Sequence, residues 1–192
     1  MKLFLLRHTS LKVDNDVFYG QTDLDVSNSF DEEVKRIIDK LIKYNIDLEN
    51  IRTFSSPLKR CVKLAKRVKE TFQIDDRIKE MNLGDWEMKK MNTISQEKKK
   101  EWENNLLNFK IPNGESNKEF LDRLRDFLSD ILVFNEDLLI VCHAGSINGI
   151  ISILTNEPFD ELVKNYWEKI KHGSLSIIEL QNRVVIKKII GK

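Results

Sequence analysis

The sequence predicts an α/β protein whose sheet is mainly parallel and is covered by helices on both faces. The first observation is that short apolar runs alternate along the chain with patterns of helical period. The second is that two of the runs, residues 3–6 and Leu138–Cys142, are continuous, as in strands buried on both faces. The third is that 192 residues with 41% apolar and 33% charged side chains suffice for one core, without a Gly-, Ser- or Pro-rich linker. One domain over residues 1–192 is therefore expected.

The first helix and the second strand follow in the first half of the chain. Ser29 with Glu32 matches a capping box, which marks the start of a helix. The apolar positions of that helix recur at helical spacing: Val34, Ile37, Ile38, Leu41 and Ile42. Residues 51–55 form a second predicted strand, after which Ser56 is expected to cap the next helix, with Pro57 as its first residue.

The middle of the chain is its least regular part. Residues 72–78 are predicted as a weaker strand or an extended segment, and residues 79–112 are interpreted as an inserted lobe. This lobe holds the Gly84-Asp85-Trp86 turn and, at residues 98–100, a run of lysines that is expected to form a solvated helix face. The tryptophans are expected to pack rather than to contact substrate: Trp86, Trp102 and Trp167.

The second half of the chain begins with a second capping box, Ser116 with Glu119. The helix behind it has a broad apolar face: Phe120, Leu121, Leu124, Phe127, Leu128, Ile131 and Leu132. The remaining predicted elements are a strand at 138–142, helices at 146–154 and 159–167, and strands at 174–180 and 184–189. The last two strands are predicted to form a hairpin that turns at residues 181–183.

The charge balance excludes several classes of binding protein. Lys and Arg number 32 and Asp and Glu 31, a net charge of +1, so the chain lacks the basic excess of a general nucleic-acid or anionic-membrane binder. The two cysteines, Cys61 and Cys142, lie in apolar patterns and are expected to be buried free thiols. The N-terminal apolar run is too short for a signal peptide and no run reaches the length of a membrane span, which predicts a cytoplasmic protein.

Two of the three histidines, His8 and His143, directly follow the two most strongly predicted strands. Ligands of open α/β sheets bind beyond the carboxyl ends of the strands, so both histidines are expected at the functional edge of the sheet. Arg7 adjoins His8, and its guanidinium can bind two phosphate oxygens at once. After His143, Ala144 and Gly145 lead into a helix whose N-terminus favours anions.

Cations in the first turn of the helix after Ser56 also indicate an anion. Lys59 and Arg60 have the wrong sign for the helix dipole, at a cost of roughly 0.3–1 kcal/mol. A bound anion would account for one of them, whereas a solvated position on a lysine-rich helix accounts for either equally well. The remaining histidine, His172, precedes a predicted strand and is expected to be structural or solvated.

Two histidines, two arginines and a helix start suit a phosphate group better than a carboxylate or a metal. An imidazole can attack phosphorus and form a covalent phosphoenzyme, while positive donors hold the equatorial oxygens of the transferred group. The leaving oxygen then needs an acid. Glu80, Asp85 and Glu87 are the candidates; spacing does not choose among them, and the alternative for each is a solvated loop carboxylate.

Five short motifs are spread over most of the chain. They are Leu6-Arg7-His8-Thr9, Ser55-Ser56-Pro57-Leu58-Lys59-Arg60-Cys61, Glu80 with Gly84-Asp85-Trp86-Glu87, Gly114-Glu115-Ser116, and His143-Ala144-Gly145. In this order they resemble the motifs of the histidine phosphatase superfamily, the phosphoglycerate mutase-like proteins. The segment at residues 19–23, Tyr-Gly-Gln-Thr-Asp, is most similar to the alpha-ribazole phosphatase branch, which acts in cobalamin nucleotide-loop assembly.

The resemblance implies a three-layer α/β/α sandwich and a role for each matching residue. His8 would be the phosphorylated nucleophile and Glu80 the proton donor. The phosphoryl group would be held by the other members of the set: Arg7, Arg60, His143 and the Ala144 amide. Gln21 would lie near the phosphate pocket. No metal or cofactor is expected, because these groups supply the positive charge and no cluster of metal ligands is visible in the sequence.

Several positions depart from the family pattern. Thr9 stands where a Gly usually follows the Arg-His pair, as in the ribazole-phosphatase-like branch. Asp14 and Asn15 stand near the place of an Asn in the phosphoglycerate mutases, and neither is expected to make its phosphate contact. Met88 and Ala144 each replace a common Gly.

The leading hypothesis is a phosphomonoester hydrolase that acts on a small phosphorylated metabolite, with alpha-ribazole 5'-phosphate as the named candidate. A mutase, which returns the phosphoryl group to a second hydroxyl, is the runner-up, although glycolytic mutases are usually longer. A catalytically inactive module that binds a phosphorylated ligand is the third hypothesis, although such modules typically lose the nucleophile or the acid. The only expected partner is the small-molecule substrate, and the protein is expected to be a monomer or a homodimer.

Overall fold

A six-stranded sheet forms the centre of the computed structural model, which describes residues 1–14, 16–105, 107–166 and 168–192. The strands are β1 (Lys2–Arg7), β2 (Arg52–Ser55), β3 (Gln73–Ile74), β4 (Leu138–Cys142), β5 (Leu175–Gln181) and β6 (Val184–Ile189). Their order across the sheet is β3-β2-β4-β1-β5-β6. The pairs β1–β4, β2–β4 and β2–β3 are parallel, whereas β5 is antiparallel to both of its neighbours. The carboxyl ends of β1, β2 and β4 therefore meet at one edge.

Six α-helices are described, and all except the third pack on the faces of this sheet. They are α1 (Phe30–Lys43), α2 (Lys59–Val68), α3 (Gln96–Asn104), α4 (Asn117–Ile131), α5 (Ala144–Thr155) and α6 (Phe159–Tyr166). Successive side chains of β1 point to opposite faces of the sheet: Leu3 and Leu5 pack with α4, α5 and α6, whereas Phe4 and Leu6 pack with α1 and α2. The predicted three-layer α/β/α sandwich with a mainly parallel sheet is confirmed.

The segment that the sequence marks as an inserted lobe has its own small apolar cluster. Its buried members are Trp86, Ile94, Phe109 and Ile111, and Trp102 packs against them. Two of the tryptophans therefore pack as predicted, while the third, at position 167, lies outside the described residues. Helix α3 is polar, and the described lysine side chains of its run, at 98 and 100, are exposed as predicted.

The two predicted capping boxes have different outcomes. At α4, Ser116 Oγ accepts the Glu119 N–H at 3.2 Å and Glu119 Oε2 accepts the Ser116 N–H at 2.9 Å, which confirms the prediction. At α1, the prediction is wrong: Ser29 Oγ caps no backbone group and instead donates to Glu33 Oε1 at 2.6 Å. The Glu33 carboxylate also binds Ser10, so it ties the start of α1 to the chain beyond β1.

Two further boundaries differ from the prediction. Helix α2 begins at Lys59, because Leu58 stays extended, so Ser56 does not serve as its cap and Pro57 is not its first residue. Only Gln73–Ile74 of the predicted strand at 72–78 pairs with β2. The residues after it turn into a short 3₁₀ helix, since the Asp75 carboxylate accepts the Arg77 N–H at 2.9 Å.

The remaining elements agree with the prediction to within two residues. Helix α5 starts at Ala144, two residues before the predicted start. The terminal hairpin forms as predicted, and its turn uses left-handed backbone at Asn182 (φ 50°) and Arg183 (φ 64°). Throughout the described ranges, every helix is too short or too polar to cross a bilayer.

Candidate active site

The parallel pairing of β1 with β4 brings His8 and His143 together. Arg7 lies opposite Cys142 in this pairing, so each histidine is the next residue after its strand. The His8 N–H donates to the Cys142 carbonyl at 3.1 Å, and the two imidazole centroids are 5.2 Å apart. Both rings are almost fully buried, with 1% and 0% of their surface exposed. The predicted juxtaposition at the sheet edge is present.

The His8 ring is held in one tautomer. Nδ1 lies 2.7 Å from the Thr9 carbonyl oxygen, which only accepts, so Nδ1 carries the proton and Nε2 carries the lone pair. Nε2 has no hydrogen-bond partner in the part of the chain that the structure describes. Burial, followed by the charges of His143, Arg7 and Arg60, lowers the pKa of His8 well below its usual value. His8 therefore presents a neutral imidazole with an unprotonated Nε2.

The His143 ring is held in the opposite tautomer. Arg60 Nε donates to its Nδ1 at 3.2 Å, so the ring proton is on Nε2, which lies 2.8 Å from Ser56 Oγ. Burial, with Arg60 and Arg7 next in importance, lowers the pKa of His143 well below its usual value. His143 is thus a neutral hydrogen-bond donor. Ser56 is a site residue that the sequence interpretation missed, because its position before Pro57 matched a helix cap.

Arg60 is fully buried, whereas its neighbour Lys59 is not. In addition to its contact with His143, the Arg60 guanidinium donates to the Thr22 carbonyl at 2.8 Å and to the Gly20 carbonyl at 2.6 Å. Lys59 is exposed, and its Nζ lies 3.6 Å from Asp23. Of the two cations in the first turn of α2, Arg60 therefore faces the site and Lys59 is the solvated one.

Arg7 has one buried donor to spare. Its Nη1 donates to the Ile170 carbonyl at 2.7 Å and its Nη2 to His172 Nε2 at 3.1 Å. Its Nε is buried and has no partner among the described residues. A buried donor without an acceptor costs about 1–3 kcal/mol, which a bound anion would recover.

Glu80 lies at the N-terminus of α5, beside His143. Its Oε1 accepts the Met81 N–H at 2.9 Å and its Oε2 accepts the Gly145 N–H at 3.0 Å. Gln21 Nε2 donates to the Glu80 carbonyl at 3.0 Å, which places Gln21 against the candidate acid. Ala144 is the first residue of α5, where backbone N–H groups lack intrahelical acceptors.

The other two candidate acids are in different surroundings. Asp85 is exposed and accepts from Asn113 Nδ2 at 3.0 Å. Glu87 is half-buried, and its carboxylate accepts backbone N–H groups of Gly20, Gln21 and Thr22 at 3.0, 2.7 and 3.0 Å. Burial raises the pKa of Glu87, but these bonds and the Thr22 hydroxyl outweigh it and lower the pKa overall. The alternative of a solvated loop carboxylate is right for Asp85 and wrong for Glu87.

His172 belongs to the rim of the site, which its sequence context did not indicate. Its side chain is exposed, in agreement with the prediction, yet its ring centroid is 5.3 Å from that of His8. Its Nε2 receives both Arg7 Nη2 and, at 3.2 Å, the Tyr19 hydroxyl. Desolvation of the part of the ring that faces Arg7 and His8, followed by the charge of Arg7, lowers the pKa of His172 to about 4. The turn before β5 places His172 at this rim, since the Gly173 N–H donates to the His8 carbonyl at 3.0 Å.

The positions that depart from the family pattern have distinct environments. Thr9 is buried, and its Oγ1 has no partner among the described residues. Asp14 is exposed, and Asn15 lies outside the described residues. Met88 has φ 59°, a left-handed conformation that Gly adopts more readily than Met.

Both cysteines are buried free thiols, as predicted. Cys61 Sγ lies 3.5 Å from His143 Nε2, and burial raises the pKa of this thiol to about 12. A thiol with that pKa stays protonated near neutral pH, so Cys61 packs against His143 without adding a charge.

Comparisons with known proteins agree with this geometry. The Hydrogenobacter thermophilus protein named "Putative phosphoserine phosphatase 2" is 26% identical over 170 residues, which are 84% of this chain and 82% of that protein. A crystal structure of "a putative alpha-ribazole-5'-P phosphatase" from Escherichia coli has a TM-score of 0.86 at 22% identity and covers 100% of this chain and 96% of its own. The alpha-ribazole phosphatase from Shigella flexneri has a TM-score of 0.84 at 22% identity, with the same coverage.

The two solved structures support the fold, and the family is shown by a match that runs over almost the whole sequence. Residues 3–188 match the family model of the histidine phosphatase superfamily (branch 1). These residues include both strand-end histidines, both arginines of the site and the carboxylate beside the start of α5. This chain belongs to the histidine phosphatase superfamily, branch 1.

Proposed function

We propose that this protein is a phosphomonoester hydrolase that works through a phosphohistidine on His8. The observation that carries the proposal is the state of the His8 imidazole. It is 1% exposed, donates from Nδ1 to the Thr9 carbonyl and keeps Nε2 unprotonated among cationic groups. This is a nucleophile that needs no prior deprotonation, in a setting that attracts a phosphate dianion.

In the first half of the reaction, His8 Nε2 attacks phosphorus. The new N–P bond forms as the ester P–O bond breaks, and the leaving oxygen takes a proton from the Glu80 carboxyl group. Arg7 and Arg60 stabilise the negative charge on the equatorial oxygens, together with the N-terminus of α5. His143 joins them when its Nε2–H exchanges Ser56 Oγ for a phosphoryl oxygen. The spare Nε donor of Arg7 gains its acceptor in this step.

In the second half, water attacks the phosphorus of phosphohistidine. The Glu80 carboxylate takes a proton from that water, the N–P bond breaks, and the electron pair returns to His8 Nε2. Inorganic phosphate leaves, and Glu80 is again protonated for the next turnover. The same side chains serve both halves, as microscopic reversibility requires.

The proposed substrate is a small phosphorylated metabolite. The names of the compared proteins suggest two first candidates, alpha-ribazole 5'-phosphate and phosphoserine. We propose that the protein acts in the cytoplasm, as a monomer or homodimer and without a metal or cofactor, because the cations around His8 belong to the chain itself.

A phosphate-release screen tests the proposal. The panel contains alpha-ribazole 5'-phosphate, phosphoserine, 3-phosphoglycerate, a sugar phosphate and an aryl phosphate, each incubated with the wild type and with His8→Ala. We expect release by the wild type only, and an alkali-stable, acid-labile phosphate on His8 after quenching during turnover. Full activity in His8→Ala would contradict the proposal. Isomerised phosphoglycerate without free phosphate would identify a mutase, and phosphate binding without turnover would identify an inactive binding module.

A further inference from the structure

The backbone at residues 20–22 lies between a carboxylate and a guanidinium. On one side, the Glu87 carboxylate accepts the N–H groups of Gly20, Gln21 and Thr22. On the other side, the Gly20 and Thr22 carbonyls accept from the Arg60 guanidinium. Glu87 and Arg60 are therefore connected through this loop, and the contacts that join them are hydrogen bonds to backbone.

One peptide group takes part in both contacts. The peptide between Gly20 and Gln21 donates its N–H to Glu87 Oε1 at 2.7 Å and accepts Arg60 Nη2 on its carbonyl at 2.6 Å. In a trans peptide the N–H and the C=O point in opposite directions within the peptide plane, so the carboxylate and the guanidinium lie at opposite edges of the same peptide group. Charges at both ends polarise that peptide and strengthen both bonds.

The loop has little freedom to move away from Glu87. A Cβ on Gly20 would lie 2.0 Å from the Met81 carbonyl oxygen and 2.7 Å from Glu87 Oε1. Glu87 also accepts the Leu83 N–H at 3.2 Å and the Thr22 hydroxyl at 2.5 Å, which gives its two oxygens five donors. A carboxylate with this many donors has no proton to give, so its role is to hold the backbone.

Arg60 depends on these carbonyls for its orientation. It is 0% exposed, and none of the ion pairs among the described residues includes it. Within the described ranges of the chain, its one other hydrogen bond runs from Nε to His143 Nδ1. If the two carbonyls turned away, the guanidinium would lose two of its three hydrogen bonds, and only Nε would still be held, by His143.

We propose that Glu87 is a positioning residue that sets the guanidinium of Arg60 for phosphate through the backbone of residues 20–22; this inference rests on the proposed function. Glu87 does not touch the phosphoryl group. It acts by fixing the direction of the Gly20 and Thr22 carbonyls. Its removal should therefore weaken phosphate binding through Arg60 and leave the other phosphate ligands in place.

Glu87→Gln is the test variant and Asp85→Asn is its matched control. Both changes remove one negative charge within three residues of each other, but only Glu87 contacts the loop. A Gln at 87 keeps the length of the side chain and turns an amide donor toward the backbone N–H groups. We expect the affinity for inorganic phosphate to fall and KM to rise, each by about 10-fold, a size typical of coupling between residues of one hydrogen-bond network. Asp85→Asn should leave both unchanged.

A double-mutant cycle with Arg60→Ala separates positioning from general damage. If Glu87 acts through Arg60, then Glu87→Gln should weaken phosphate binding in the wild type and have almost no further effect in Arg60→Ala. Equal factors in the two backgrounds would overturn the inference, as would Glu87→Gln behaving like Asp85→Asn. Thr22→Val, which removes only the hydroxyl donor to Glu87, supplies a milder second variant with a smaller loss of the same kind if Glu87→Gln unfolds.

Binding of inorganic phosphate, measured by calorimetry, keeps this inference separate from the proposed function. A wild type that binds phosphate without turnover would contradict the hydrolase and still allow the cycle to be completed. A wild type that hydrolyses esters while the cycle shows no coupling would leave the hydrolase standing and overturn the role of Glu87. A wild type that neither binds nor hydrolyses would overturn both.

Discussion

The ends of β1 and β4 and the turn at residues 80–87 contribute to the same site in different ways. His8 and His143 follow two strands whose register is continuous, so the sheet alone places their rings 5.2 Å apart. The turn has no such register. Of its two partly buried carboxylates, Glu80 is placed by one hydrogen bond and Glu87 by three, all to backbone N–H groups more than 60 residues away in the chain. The comparison teaches that a periodic element places a side chain by its own pattern, whereas a turn depends on its partners.

Within the turn, three carboxylates of similar chemistry have three different environments. Glu80 is aimed at the start of α5, Asp85 is exposed, and Glu87 is covered by donors. The proposed roles follow from these environments: acid and base for Glu80, a solvated charge for Asp85, and a fixed carboxylate for Glu87. Variants at this turn are therefore the sharpest way to test the difference between the two regions.

Glu80→Gln is expected to have the largest effect. An alkoxide is a poor leaving group without a proton, so hydrolysis of alkyl phosphates should slow by about 10²–10⁴-fold. Aryl phosphates with acidic phenols should lose much less, since a phenolate departs unprotonated. Steady-state kcat on matched alkyl and aryl substrates measures the difference, with Asp85→Asn as the control. Equal losses on the two substrates would show that Glu80 is not the proton donor.

Gly145→Ala is expected to lower kcat without lowering the free energy of unfolding. A Cβ at this position would lie 2.2 Å from Glu80 Oε1, so the carboxyl group must move away from the start of α5. A displacement of about 1 Å can cost up to about 10² in rate. Alanine is the better helix former by about 1 kcal/mol, so the free energy of unfolding should hold or rise. Denaturant melts alongside kcat measure both quantities, and unchanged kcat would mean that the turn tolerates the shift.

As the pH is lowered, the two strand-end histidines are expected to reduce the stability of the fold at a higher pH than the one at which carboxylates become protonated. Burial lowers the pKa of His8 and of His143 well below the usual 6.5, so below that pH the unfolded chain binds protons that the folded chain does not. The contribution of the two neutral imidazoles to the free energy of unfolding is fully present above pH about 7 and is lost as the pH falls. Two such sites give a slope of up to about 2.7 kcal/mol per pH unit.

Urea unfolding at a series of pH values between 5 and 8 measures that slope. In His8→Ala the slope should fall by about 1.4 kcal/mol per pH unit, which is the share of one proton. His172 contributes less, because its exposed side chain is screened by solvent. A slope that stays the same without His8 would mean that this ring is protonated in the folded protein.

Chelation is expected to have no effect. The proposed mechanism takes its positive charge from Arg7, Arg60 and the donors at the start of α5, so assays in excess EDTA should match untreated enzyme. The control is the same assay after dialysis with added Mg²⁺, Mn²⁺ or Zn²⁺. Activity that is lost in chelator and restored by one of these ions would contradict metal independence.

The sequence by itself determined the layered fold, the sheet edge that carries the site and the neighbours His8 and His143. It also determined the Ser116–Glu119 capping box and the two buried thiols. Each of these follows from a local pattern: an apolar run, a helical period, or a cap three residues from its partner. Such patterns can be recognised locally because the geometry of a strand or helix fixes which of its residues share the buried face, whatever that face packs against.

Only the tertiary structure decided which polar groups meet. Ser29 and Ser56 both precede helices, yet the Ser29 hydroxyl binds the Glu33 carboxylate, and the Ser56 hydroxyl binds His143 as well as the Leu58 N–H, at 3.4 Å. Glu87 accepts backbone N–H groups of Gly20 to Thr22, which precede it by more than 60 residues, and His172 lies next to His8 because the turn before β5 returns the chain to the end of β1. A hydrogen bond needs its two atoms within about 3 Å, and along the sequence nothing marks such a pair until the chain has folded.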